Sequence, residues 1–131
     1  MIDAEGRIVS PGFIDIHSHE DHLEKSGTSG TFPRVLGKYV RDEKIMTLEE
    51  ALHKMTYLPA QAIGAKTKGV LAENMDADIV IFDENTIIDK SNYMDVNKSP
   101  EGIEAVIVTG TIALKDQAII EPYCGSFISP I

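Results

Sequence analysis

Cysteine is almost absent from this sequence: its one residue, Cys124, cannot close an intrachain disulfide. That argues against a small bridge-stapled secreted scaffold and makes the reducing cytoplasm the expected location. Basic charge is also scarce, with 12 Lys and Arg against 21 Asp and Glu, a formal net charge of −9. Such a surface repels phosphate backbones and anionic lipid, so neither nucleic acid nor a membrane is expected as a partner. The acids (Glu20, Asp21, Glu49, Glu50, Asp76, Asp78, Asp83, Glu84) are scattered, without a long like-charged run, and read as a solvated face. Long apolar runs are missing too: no window approaches eighteen uncharged apolar residues, and Met1 to Arg7 lacks a stretch of signal-peptide character. No glycine-rich phosphate cradle and no nucleophile with a base at its side can be recognised.

What is present suits one globular unit. The 131 residues are 43% hydrophobic and 25% charged, ordinary soluble-domain values. A chain of that size buries roughly two-thirds of its unfolded surface. Gly6 to Ser10 is a β-prone run, punctuated by Pro11-Gly12, and Phe13 to His19 is a second. The alternation of the second run places Asp15, His17 and His19 on one strand face and Ile14 and Ile16 on the other. The apolar pattern then stops: Lys25 to Thr31 is small, polar and glycine-rich, as in a flexible connector.

Helical spacing follows. Val35, Leu36, Tyr39 and Val40 recur at three and four within Pro33 to Glu43, with Pro33 tolerable in a first turn. Thr47-Leu48-Glu49-Glu50 has capping-box spacing, and Leu48, Ala51, Leu52 and Met55 form a stripe on a second helix to about Thr56. Pro59 opens a short third helix over Ala60 to Ile63, closed by Gly64. Ala77 to Asp83 then reads as a buried strand bounded by acids. Ile103 to Thr109 and Ile112 to Leu114 are strands joined through Thr109-Gly110-Thr111, and Asp116-Gln117 leads into Ala118 to Ile120. Tyr123 to Ile131 has no periodicity and reads as a tail.

One constellation has an evident chemical purpose. In His17-Ser18-His19, alternate strand residues can offer two imidazoles to one metal ion. His22, with Asp21 and Glu20, lies close enough in sequence to add a ligand if the chain turns. His53, beside the apolar stripe, is expected at the surface or its boundary, Cys124 is expected to be incidental, and Asp78 and Asp83 read as turn residues rather than catalysts.

The run Ser10-Pro11-Gly12-Phe13-Ile14-Asp15-Ile16-His17-Ser18-His19 resembles the first barrel strand of the amidohydrolase superfamily. The stretches Gly30 to Arg41, Leu48 to Ala51, Lys54 to Ala60, Gly69 to Leu71 and Ala77 to Asp83 resemble the far end of the N-acyl-D-amino-acid deacylase (D-aminoacylase) branch, with Asn74 where that branch usually has glycine. The resemblance implies a hydrolase of linear amide bonds, acting on a small N-acyl amino acid, with zinc as metal and His17 and His19 among its ligands.

A (β/α)₈ barrel takes about 250 residues, yet only residues 20–31 stand between the two matching ends. The bridging ligand, the later histidines and the catalytic aspartate of the resembled family have no matching position. The expected architecture is α+β: a small β-sheet or sandwich built from both chain ends, with two or three helices between. It would be a truncated remnant of an amidohydrolase, divided into residues 1–19 (strands with the HxH motif), 20–31 (linker at the apparent deletion) and 32–131 (helices and sheet). No catalytic residue is assigned, and the expected chain is inactive alone. A non-catalytic self-association module and a simple metal-binding domain are the alternatives. Because helices that have lost a barrel would expose Leu48, Leu52 and Met55, a homo-oligomer is expected.

Overall fold

The computed structural model describes residues 1–16, 30–92, 94, 95 and 98–128. Five strands, β1 (Ile8–Pro11), β2 (Ile79–Phe82), β3 (Ile103–Val108), β4 (Thr111–Lys115) and β5 (Ala118–Ile119), form one antiparallel sheet whose spatial order is the chain order. Among the described residues all the helices fall in the long excursion between β1 and β2. The expectation that strands from both ends share a sheet holds. β1 runs along β2 with Ile8 opposite Phe82 and Pro11 opposite Ile79.

Local chemistry explains the meander from β3 to β5. Thr109 and Gly110 adopt φ of 49° and 79°, and Asp116 and Gln117 adopt 50° and 64°. Each pair is a two-residue loop with both residues left-handed, the hairpin connection whose twist matches the flanking strands. A bulge lies between Ile81 and Phe82, where β3 advances from Ala105 to Ile103 against consecutive β2 residues. Asn74 has φ of 65°, the left-handed conformation that asparagine tolerates better than most residues in place of glycine.

Helix α1 (Thr31–Arg34) passes without a break into a π-helical stretch, Val35–Asp42. A single α-helix from Pro33 was expected, so both its start and its hydrogen-bond period differ. The wider turns coincide with two ties to the 84–88 segment. Gly37 has no room for a β-carbon against the Ile87 carbonyl, and the Arg41 guanidinium donates to the carbonyls of Ile87 (2.8 Å) and Asn85 (3.2 Å). π-turns are rare and occur where such local demands override the regular period.

Helix α2 (Leu48–Met55) starts as its sequence predicts. The Glu50 amide donates to Thr47 Oγ1 at 3.2 Å, and the Thr47 amide donates to Glu50 Oε2 at 2.9 Å. Helix α3 (Tyr57–Ala62) begins earlier than Pro59, which sits in the first turn where an absent N–H costs nothing. Its end is a Schellman pair: the Ala65 amide donates to the Ala60 carbonyl and the Gly64 amide to that of Gln61. Among the described residues no helix is long and apolar enough to cross a membrane.

The helices cover one face of the sheet. Leu36, Ala51, Met55, Val80, Phe82 and Ile87 form the buried cluster, with Ile8, Phe13, Phe32, Leu48, Leu52 and Ile103 packed against it. The α2 stripe is therefore folded back on the sheet, and the ground on which self-association was expected is removed. His53 is exposed, with its ring stacked on Tyr57 at 5.1 Å between centroids.

Candidate functional site

The second expected strand, Phe13 to His19, is not one over its described part: residues 12–16 leave the sheet. The reason lies in its hydrogen bonds. The Gly12 amide donates to the Asp78 carbonyl at 2.8 Å, and the Ile14 amide donates to the Met55 carbonyl at the end of α2 at 2.9 Å. With its donors drawn to two different elements, the segment has no continuous partner strand. His17, His19, Asp21 and His22, and Glu20 with them, lie outside the described residues. Their approach and departure do not. The Phe13 ring lies 5.2 Å from that of Phe32, centroid to centroid, and 6.3 Å from that of Phe82. The entry to residues 17–29 and the exit from them are thereby held against each other and against the core.

The exit is fixed further. The Arg34 guanidinium on α1 forms an ion pair with Asp89, whose side chain is 1% exposed, and Asp89 Oδ1 also accepts from the Ser91 amide (2.8 Å) and hydroxyl (2.7 Å). A β-carbon at position 30 would collide with the Asp89 carboxylate, so the residue just before α1 is glycine for space. Burial pushes the Asp89 carboxyl up, but the Ser91 and Arg34 bonds outweigh it and hold the group below its ordinary value.

A cleft of about 500 Å³ opens beside this junction. Its walls include Phe13, Ile14, Phe32, Val80 and Val106, with Ile128 from the C-terminal segment. Lys68 and Asp78 also border it, but their charges are satisfied. Lys68 Nζ is paired with both Asp78 and Asp76 (3.1 Å to the latter), and Asp78 Oδ1 accepts from the Thr109 amide at 2.8 Å. Burial works against the Lys68 charge, yet the bonds to Asp78 and Asp76 prevail and its pKa is raised. The Thr67 hydroxyl, then Lys68, hold Asp76 below the usual carboxylate range. This cluster ties the Lys68 loop to the β3–β4 turn and leaves no poised acid or base. Asp83 is likewise a turn residue: Oδ1 accepts from the Asn85 amide at 2.9 Å, the largest reason its pKa is lowered, and Arg7 lies 3.8 Å away. Cys124 Sγ donates to the Glu121 carbonyl at 3.3 Å within the C-terminal segment.

Sequence reasoning missed the Phe13–Phe32 contact and the Lys68–Asp76–Asp78 cluster. The apolar residue ahead of the histidine run was a signal for the first. Nothing in spacing announced the second, which depends on how the 65–78 loop folds.

Zinc, which the resemblance implies, favours four nitrogen, sulfur or oxygen ligands. The paired imidazoles of His17 and His19 suit it chemically. Among the described residues no three His, Cys, Asp or Glu side chains gather, so nothing there completes such a site, and no catalytic step is derived through a metal.

Comparison with known proteins defines the class. Residues 23–114 match the model of the amidohydrolase family, and the chain belongs to that family. Within it, the likeness is to the D-aminoacylase branch. The N-acyl-D-glutamate deacylase of Alcaligenes xylosoxydans xylosoxydans is 44% identical over 81 residues, 62% of this chain and 17% of that protein. The D-aminoacylase of the same organism is 37% identical over 100 residues, 76% of this chain and 21% of its own length. The Bordetella bronchiseptica N-acyl-D-glutamate deacylase, solved with zinc and a phosphonate mimic of the tetrahedral intermediate, superposes with a TM-score of 0.65 at 39% identity, covering 68% of this chain and 19% of that one. The chain thus spans about a fifth of the length of these relatives. The family match begins after His19, so the HxH resemblance stands on its own residues.

Proposed function

We propose that this chain is the sheet-and-helix part of a metal-dependent amidohydrolase acting on N-acyl-D-amino acids, with the first-strand ligand pair joined directly to the helices that would follow the barrel. The observation that carries this reading is the spacing in the sequence: only residues 20–31 stand between the first-strand motif and the stretches that resemble the far end of the family, and Phe13 and Phe32 on either side meet at 5.2 Å between ring centroids. A barrel of about 250 residues has no place within residues 17–29.

His17 and His19 are the proposed metal ligands, with His22 and Asp21 the nearest groups able to join them. A bound zinc ion would supply Lewis acidity and an acidified water. Two imidazoles alone fall short of the ligands that hold zinc firmly, and among the described residues none is assigned the proton transfer that amide hydrolysis needs. Weak metal binding without amide hydrolysis is the proposed behaviour of the 131-residue chain, and a homo-oligomer its proposed state.

Zinc titration of metal-free protein, followed by calorimetry, tests the ligand assignment. One weak site should vanish in the His17→Ala/His19→Ala double variant. Absence of any site, or a site that survives both substitutions, contradicts it.

A further inference from the structure

The segment that follows β5 carries no charge. From Pro122 to Ile131 there is no Asp, Glu, Lys, Arg or His, in a chain whose net charge is −9. Its root is held: the Ile120 and Glu121 amides both donate to the Ala113 carbonyl of β4, at 2.8 and 3.3 Å. Beyond that point, among the described residues, the hydrogen bonds are local, from the Tyr123 amide to the Glu121 carboxylate and from Cys124 to the Glu121 carbonyl. No hydrogen bond among them ties 122–128 to a helix, to a loop or to another strand.

The segment nevertheless borders two hollows. Gly125, Ser126 and Ile128 form part of the wall of the 500 Å³ cleft, and Ser126, Phe127 and Ile128 form part of a second cavity, of about 300 Å³, against the 63–68 loop. Lys68 and Thr109 also border both, and each is bound to Asp78, so that side of the ridge between the hollows is fixed. The other side is Ser126 and Ile128, whose hold is shallow: Ile128 is 50% exposed and Phe127 90%. A stretch with little buried area and no hydrogen bonds to the body opens at low free energy while the rest stays folded. We propose that residues 122–128 are a strap that covers the cleft and lifts on its own, joining the two hollows into one groove along β3. Since the strap is uncharged, its seating is apolar and its opening insensitive to salt.

This inference does not depend on the hydrolase reading, since neither zinc nor amide turnover enters its readout. The probe is Nile red, a neutral dye that fluoresces on entering apolar surroundings, titrated against the full chain. Ile128→Ser loosens the strap and should strengthen dye binding about ten-fold, the gain expected where roughly a tenth of the native molecules are open. The same variant should keep the urea midpoint of the native chain, because the strap is not part of the core. Tyr123→Ser, at a residue 91% exposed that borders neither hollow, should leave dye binding unchanged. Dye binding that Ile128→Ser leaves equal or weakens overturns the proposal, since the segment then does not cover the cleft. A fall in the urea midpoint such as a core substitution gives overturns it too, since the segment then does not lift apart from the sheet.

Discussion

Replacing Phe82 by alanine is the sharpest stability test of the way both chain ends share one core. Phe82 is fully buried, lies opposite Ile8 of β1 and Ile103 of β3, and belongs to the cluster with Leu36, Met55 and Ile87. Its ring also meets that of Phe13 at 6.3 Å. Truncation therefore removes contacts to three strand or near-strand segments and two helical ones, which leaves the site little freedom to collapse. For such a cavity the expected loss is about 3–5 kcal/mol. A domain of this size has roughly 7–20 kcal/mol in all, on a per-residue basis. Urea unfolding followed by far-UV circular dichroism should lower the midpoint by about 2 M for a slope near 2 kcal/mol/M. Val9→Ala is the control: Val9 is next along β1 but 43% exposed, and its loss should cost below about 1 kcal/mol. If Phe82→Ala costs no more than Val9→Ala, the N-terminal strand and the helices do not share a core with β2.

The other expected outcomes are smaller. Thr47→Ala removes the α2 cap and should lower stability by about 1 kcal/mol in the same urea assay. Thr109→Asn should raise stability by up to about 1 kcal/mol, since a β-branched residue at φ of 49° is strained where asparagine is tolerated. Arg34→Ala removes one partner of the buried Asp89 carboxylate, which keeps its two Ser91 bonds, and should cost about 2 kcal/mol at neutral pH. Asp89 has a folded pKa below its ordinary 3.8, so its contribution is fully present above 3.8 and is lost as pH falls from there through the lower folded pKa. Thermal melts of the native chain should weaken below about pH 4, and Arg34→Ala should flatten that dependence.

Much of the fold was legible because several signals are local. The capping box at Thr47, the glycine that closes α3 and the two-residue loops at Thr109 and Asp116 each act within four residues and form as expected, although α3 itself starts at Tyr57, ahead of the Pro59 from which it was expected. The π-helical turns at Val35–Asp42 were not legible, because they answer to Ile87 and Asn85, residues distant in sequence. The strand expected over Phe13 to Ile16 failed for a related reason: alternation describes side chains, whereas strand pairing needs a neighbouring edge, and these amides bond to Asp78 and Met55 instead. The α2 stripe was read correctly as apolar, but its partner, the sheet face carrying Val80 and Phe82, could not be seen from helix periodicity. Of the site, the histidine pair was visible as chemistry, while the contact between Phe13 and Phe32 was not.

The central proposal is that the His17–His19 motif adjoins helices resembling those after the family's barrel and that the 131-residue chain lacks the machinery for catalysis. The direct measurement is release of D-glutamate from an N-acyl-D-glutamate by the zinc-supplemented 131-residue chain, alongside its His17→Ala/His19→Ala variant. The account predicts no release above the protein-free control for either. Turnover by the native chain that disappears in the double variant would contradict it.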